Sequence, residues 1–271
     1  MANEIFGFIG CGNMGGALAT AVARVVGGEN ILLANRTPEK AAELVKALGG
    51  RTCDNAQAAR ESDFLFLGVK PHMMAGMLAG IRPVLADRTR PCVLVSMAAG
   101  LTVATVRDMA GVDFPVVRIN PNTPSAVGKG LVMLCAEGIE NDDPRMQVLR
   151  RAMAGAGLLD DVDERLMDAG SAVAGCGPAF AALMLEALAD GGVACGLPRA
   201  KAQMYAAQMM LGTAALALET GRHPGALKDA VCSPGGTTIQ GVRALEKGGF
   251  RSAAFEAVIA AYEATLRLAK K

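Results

Sequence analysis

Histidine is nearly absent from this chain: only His72 and His223 occur. A histidine metal centre or a triad with an imidazole base therefore lacks its parts, and no metal site is expected. Neither sign of charge is in excess. Lys and Arg total 27 against 26 Asp and Glu, interspersed, for a net charge of +1. That balance excludes a nucleic-acid footprint or an acidic tail. The seven cysteines (Cys11, Cys53, Cys92, Cys135, Cys176, Cys195, Cys232) are odd in number and contain no C-x-x-C pair. They read as reduced cytosolic thiols rather than disulfides or zinc ligands. No apolar run reaches transmembrane length. Met1-Ala2-Asn3-Glu4 leads directly into the first strand with no basic segment or cleavage site. A cytoplasmic protein with no membrane, nucleic-acid or metal partner is the expectation. With 271 residues, 52% of them apolar, the chain can bury a sizeable core as one large domain or two ordinary ones.

Glycine, by contrast, is placed where chemistry needs it. Ile5-Phe6-Gly7-Phe8-Ile9 has buried-strand character and runs into Gly10-Cys11-Gly12-Asn13-Met14-Gly15, with helical sequence over 17–26. Strand, glycine turn and helix in that order form a dinucleotide-binding βα unit. Gly10 permits the tight turn, Gly12 lets the backbone approach a pyrophosphate, and Gly15 lets the helix pack close to the strand. The free N–H groups over 13–16 would face the phosphates. Cys11 lies near that helix start, where a thiol pKa can fall, but it reads as a small filler.

A second strand over 31–34 ends in Asn35-Arg36-Thr37-Pro38, with Pro38 in the first turn of the next helix. A carboxylate for the ribose 2′-OH of NAD belongs near here, about 20 residues past the glycine turn. It is absent, and the amide, guanidinium and hydroxyl present instead suit a 2′-phosphate. NADP(H) is the expected cofactor, with NAD(H) as the alternative.

Strands and helices then alternate: helix 39–48, a short strand near 51–53, helix 55–61, strand 63–69, strand 91–96, strand 116–120, strand 131–135, helix 144–153 and strand 158–162. The pattern predicts a parallel α/β sheet with its ligand at the carboxyl ends of the strands. The tails Lys70-Pro71, 96–100 and 120–123 are expected on the nicotinamide side. Lys70 also reads as a surface strand-end lysine, and His72 as a helix-start residue. From Glu164 the texture changes to Ala-, Met- and Gly-rich helices over 164–171, 178–195 and 198–219, with Pro178 and Pro198 as first-turn prolines and Gly196 as a terminator. In the last helix Phe255, Val258, Ile259, Tyr262 and Leu266 share one face. Arg267, Lys270 and Lys271 suit its C-terminal end. Met204, Met209 and Met210 read as packing residues, with much of this surface buried against a second subunit. The expected division is a nucleotide domain over 1–163 and a helical domain over 164–271.

Between the helices, Ser233-Pro234-Gly235-Gly236-Thr237-Thr238-Ile239 breaks one helix and opens another, with Ile239, Val242 and Leu245 on the buried face of the second. Backbone N–H groups over 235–238 would converge into a nest for a carboxylate. A plain interhelical turn is the alternative reading.

With both stretches in view the chain resembles pyrroline-5-carboxylate reductases over nearly its whole length. The likeness is carried by Gly7-Phe8-Ile9-Gly10-Cys11-Gly12-Asn13-Met14, Val69-Lys70-Pro71-His72, Ala98-Ala99-Gly100, Pro121-Asn122-Thr123-Pro124, Gly175-Cys176-Gly177-Pro178-Ala179-Phe180, Ala187-Leu188-Ala189-Asp190-Gly191-Gly192, Gly196-Leu197-Pro198-Arg199, His223-Pro224-Gly225, and Ser233-Pro234-Gly235-Gly236-Thr237-Thr238 with Gly248-Gly249-Phe250-Arg251. The last group is the most specific. The resemblance implies an α/β N-terminal Rossmann domain with a C-terminal all-α dimerisation domain, a homodimer that in many members assembles into a homodecamer, and NAD(P)H-dependent reduction of 1-pyrroline-5-carboxylate to L-proline, the last step of proline biosynthesis. It implies cofactor contacts at Gly10, Cys11, Gly12, Asn13, Met14, Asn35, Arg36, Thr37, Asn55, Val69, Lys70 and Ala98, with Pro71 beside Lys70. Ser233, Gly236, Thr237 and Thr238 would hold the substrate, and the Thr238 hydroxyl would serve the ring nitrogen as the catalytic group. Gly221 stands where some relatives are acidic, and Cys176 where serine is common.

Hydride addition to a cyclic iminium needs no separate base, which accounts for the scarcity of histidine. The competing readings are another two-domain NADP reductase, of β-hydroxyacid dehydrogenase or ketopantoate reductase type, and a non-catalytic dinucleotide sensor. The first would need a lysine acid, for which Lys201 and Lys228 are the candidates, though neither stands in that family's pattern.

Overall fold

The computed structural model describes residues 4–269; Met1, Ala2, Asn3, Lys270 and Lys271 lie outside it. The chain divides into two compact units. One runs to Cys176 and takes in the chain from Tyr262 onward; the other is Gly177–Ala261.

In the first unit β1 (Phe6–Ile9), α1 (Asn13–Val26), β2 (Ile31–Ala34), α2 (Pro38–Leu48), β3 (Arg51–Thr52), α3 (Asn55–Glu61), β4 (Phe64–Leu67), α4 (Pro71–Ala86), β5 (Val93–Ser96), α5 (Val103–Ala110) and β6 (Val116–Pro121) follow in order. β7 (Gly130–Glu137), α6 (Pro144–Met153) and β8 (Gly157–Asp161) complete the sheet, whose order is β3-β2-β1-β4-β5-β6-β7-β8. The central strands are buried along their whole length, as covered parallel strands are. On one face Phe6 stacks on Phe64 with centroids 5.0 Å apart, and Phe8 on Phe66 at 4.3 Å. These cross-strand pairs hold the β1–β4 register. Leu18 and Val22 of α1 and Met146 and Leu149 of α6 cover that face. Met74, Leu78 and Ile81 of α4 and Val103 and Val106 of α5 cover the other.

The expectation of a parallel sheet needs one correction. β7 runs antiparallel to β6, and β8 is parallel to β7. Only a 3₁₀ turn over Thr123–Val127 joins β6 to β7, and so short a link can only return the chain antiparallel.

Past β8 a 3₁₀ turn (Glu164–Leu166), α7 (Met167–Gly170) and a π-helical turn (Ser171–Gly175) lead into α8 (Gly177–Ala194). The break expected between 171 and 178 is absent. Pro178 has no N–H to give the Ala174 carbonyl in an α-helical bond; the Asn122 Nδ2 donates to that carbonyl instead, at 3.0 Å. Glu164–Ala194 is consequently one helical run with an 18-residue window of mean hydropathy 1.6. By length and composition this helix could cross a membrane, contrary to the reading of the bare sequence. Its start is tied to the sheet by Arg118, which is 5% exposed and pairs with Glu164 at 3.3 Å and Asp168 at 2.7 Å. Glu164 also accepts the Val103 N–H at 2.7 Å.

In the second unit α8 packs on α9 (Arg199–Thr220) through the small buried residues Ala189, Ala202 and Ala206. α10 (Pro224–Ala230), α11 (Thr237–Lys247) and α12 (Phe250–Ala269) follow, α12 running on past Tyr262. Ile239 and Val242 are half-buried and Leu245 is exposed, so the face expected to be buried on α11 is not covered within the chain. Phe255, Met204 and Met209 are likewise exposed.

Candidate active site

The order of the strands reverses between β1 and β4, and an open α/β sheet binds its ligand in the crevice at that point. Gly10 leaves β1 with φ +101°, and a Cβ there would lie 2.6 Å from the carbonyl carbon of Gly68, the residue leaving β4. Only glycine fits. Gly12 is glycine for a different reason: a Cβ would meet nothing within 4 Å. The space beside it is open. Gly12 is also the N-cap of α1 and carries no side-chain cap bond, so the first N–H groups of α1 are open to an anion.

From this crevice a cleft of about 1050 Å³ runs toward α2, α3 and α4. Of the residues expected at the cofactor, Gly10, Gly12, Asn35, Arg36, Thr37, Asn55, Val69 and Lys70 line it. Asn13 and Met14 form the first turn of α1 outside the cleft wall. Cys11 is buried; its N–H donates to the Asn35 Oδ1 at 2.9 Å and its Sγ to the Ala34 carbonyl at 3.6 Å. Burial, with Cys53 adding to it, pushes the Cys11 thiol up to about 12, opposite to the effect of a helix start. Cys11 is a filler. Pro71 opens α4, and Ala98 is a core residue whose N–H meets the Ser96 Oγ at 3.4 Å; neither lines the cleft. Nor do residues 96–100 or 120–123. Asn122 is spent on structure: besides its bond to Ala174, its Oδ1 accepts the Leu131 N–H at 3.0 Å.

Sequence reasoning passed over Lys40, Cys53, Asp54 and Met73, all of which line the cleft, and placed His72 only at a helix start. The signal for Lys40 was its spacing, four residues past Arg36 and in the first turn of α2.

The second stretch stands at the start of α11. Gly235 has φ +70°, the Gly236 N–H donates to the Ser233 carbonyl at 3.0 Å, and a Cβ on Gly236 would meet the Ser233 Oγ at 2.4 Å. Gly236 is the N-cap, with no side-chain cap bond. Thr237 and Thr238 therefore occupy the first two helical positions, exposed, and their N–H groups have no intrahelical acceptor. Thr238 does not cap the helix. Nearby polar residues have structural uses: the His223 Nδ1 accepts the Gly225 N–H at 3.1 Å, and Gly221 ends α9 in the left-handed conformation at φ +62°.

Residues 164–268 match a family described as pyrroline-5-carboxylate reductase dimerisation. Residues 5–100 match NADP oxidoreductase coenzyme F420-dependent. The pyrroline-5-carboxylate reductase of Escherichia coli is 38% identical over 268 residues, covering 97% of this chain and 98% of that one. The chain belongs to the pyrroline-5-carboxylate reductase family. The Synechocystis member is 45% identical over 218 residues, covering 80% of this chain and 79% of its own. The crystal structure of the Plasmodium falciparum pyrroline carboxylate reductase with NADP bound superposes with a TM-score of 0.87 at 30% identity, covering 99% of both chains. No competing reductase is favoured by these likenesses.

Proposed function

We infer that this protein reduces 1-pyrroline-5-carboxylate to L-proline with a nicotinamide dinucleotide as reductant. The observation that carries the reading is the coexistence of two anion-ready helix starts: the open turn at Gly12 and the uncapped start of α11 after the Ser233–Gly236 turn. Membership of the family supports it.

The cleft suits the cofactor. Gly12 leaves room for a pyrophosphate against the α1 N–H groups, and Arg36 and Thr37 line the cleft with a guanidinium and a hydroxyl that suit a 2′-phosphate. This supports a preference for NADP(H) over NAD(H). The bound cofactor supplies the hydride. The chain positions the acceptor and stabilises charge: the N–H groups of Thr237 and Thr238 hold the substrate carboxylate, Ser233 and Gly236 shape the turn around it, and the Thr238 hydroxyl lies beside the ring nitrogen. The substrate reacts as its iminium, so no group need abstract a proton.

Assembly as a homodimer through 198–219 and 255–266 belongs to this reading, supported by the exposed apolar residues there and by the dimerisation family. The membrane-length helix also carries exposed apolar residues, Val173 and Leu183 among them, which a second copy of the chain would cover in place of lipid. A functional division at 163/164 is supported by the start of that family match. Assembly into a decamer rests on the resemblance, and a cytoplasmic location on the cysteine pattern.

The test is oxidation of NADPH by the purified protein. Turnover is expected with 1-pyrroline-5-carboxylate and not with ketopantoate or 3-hydroxy acids; the reverse pattern would overturn the assignment.

A further inference from the structure

Asn35 differs from its neighbours in the cofactor cleft. Arg36, Thr37 and Lys40 line the cleft with their side chains turned to no cap or ion-pair partner among the described residues. The Asn35 carboxamide is engaged at both ends. Its Oδ1 accepts the Cys11 N–H at 2.9 Å, and its Nδ2 donates to the Thr37 carbonyl at 2.8 Å. Cys11 lies inside the glycine turn that leads into α1, and Thr37 is the N-cap of α2. The adjacent Gly10 N–H donates to the Ala34 carbonyl at 2.8 Å. Both N–H groups entering the turn are thus bonded to the end of β2, and a single amide joins the starts of the two helices. Turning that amide away would break both bonds and leave the Cys11 N–H unpaired, and with both in place only the second Nδ2 hydrogen is left over.

We infer that Asn35 is a positioning residue and not a phosphate ligand: it sets the spacing between the α1 start, which takes the pyrophosphate, and the pair Arg36 and Lys40, which takes the 2′-phosphate. This rests on the dinucleotide reading above. Asn35 then serves NADPH and NADH alike, whereas Arg36 and Lys40 serve NADPH alone.

The experiment is the Kd of each reduced dinucleotide, read from nicotinamide fluorescence, alongside thermal melts. Asn35→Ala is expected to weaken NADPH and NADH by the same factor, about 5- to 10-fold on the scale of one net hydrogen bond. Lys40→Ala and Arg36→Ala should weaken NADPH only. Asn35→Asp keeps an acceptor for the Cys11 N–H, so NADH should recover much of the loss. Weakening of NADPH alone in Asn35→Ala would make the amide a ligand and overturn the inference. A lowered melting temperature with both Kd values unchanged would overturn it too, by reducing the amide to a fold contact. Failure of the parent protein to bind either dinucleotide is a separate result, which removes the functional reading and this inference with it.

Discussion

Phe66, Leu94 and Val117, in the sheet, have no exposed surface, while Leu183, Leu218 and Phe255, in the helices, are 68%, 79% and 67% exposed. Both regions are rich in apolar residues, so composition does not separate them. The sheet closes its own interior because helices cover both faces. The α8–α9 pair closes only the narrow seam around Ala189, Ala202 and Ala206. Two helices can bury one stripe each against the other, and what remains apolar on their outer faces needs another copy of the chain. The nucleotide half buries its core within the chain; in the proposed dimer the helical half would take much of its stability from assembly.

The sharpest way to break this contrast is to charge the exposed faces. Leu211→Glu combined with Phe255→Glu should convert the protein to monomer in light scattering and abolish turnover, a burial penalty of about 3–5 kcal/mol per unpaired charge. A stable, active dimer in that variant would show that these faces are ordinary surface. Phe66→Ala probes the other half. Its loss from the stack on Phe8 should cost about 3–5 kcal/mol in denaturant unfolding, independent of protein concentration, whereas the melting temperature of the helical half should rise with concentration in the parent protein and lose that dependence in the charged variant.

Two substitutions sharpen the comparison at the level of ligands. Arg36→Ala should weaken NADPH about 10- to 100-fold, the range for a charge-assisted contact, with NADH nearly unchanged; equal losses would make Arg36 structural. Thr238→Val should lower kcat/KM about 10-fold or more with an unaltered melting temperature, since Gly236 and not Thr238 caps α11, and Thr238→Ser should retain most activity. A normal rate in Thr238→Val would assign the proton to water or to an iminium already formed in solution.

The smallest expected effect is on pH. Burial pushes the thiols of Cys53, Cys92 and Cys135 up to about 11 and that of Cys11 up to about 12, from an ordinary 9.0. All four lie in the nucleotide half. Their folded values are raised, so the stability they contribute is complete below about pH 9 and is lost as the pH climbs through 11 to 12. The melting temperature should fall over that window, and less steeply in Cys92→Ala. Equal slopes in the two proteins would remove the thiols from the account.

Local signals carried most of the elements. Asp54 and Asp143 each cap a helix through the side chain, which is why α3 and α6 begin where the sequence indicates. Pro38 opens α2 and Gly236 precedes α11 for the same reason: capping and turn chemistry are settled within a few residues. The glycine turn was legible too, because strand, turn and helix are contiguous, and with it the position of the cleft at the end of β1.

What the sequence by itself determined is therefore most of the elements, though not α4, α5 or α10, and the turn at Gly10–Gly12 with most of the polar residues that line the cleft beside it. Tertiary structure decided the rest: the reversed direction of β7, the unbroken helix through Pro178, the admission of Lys40 and His72 to the cleft and the exclusion of Ala98 and Pro71. It also set the partners of the Asn35 and Asn122 amides, each bonded at both its oxygen and its nitrogen to backbone groups of the fold. The physical reason is common to all of these. Each turns on a hydrogen-bond partner or packing surface distant in the chain, and a side chain's chemistry names what it can bond to, while only the folded arrangement says which partner is within 3 Å.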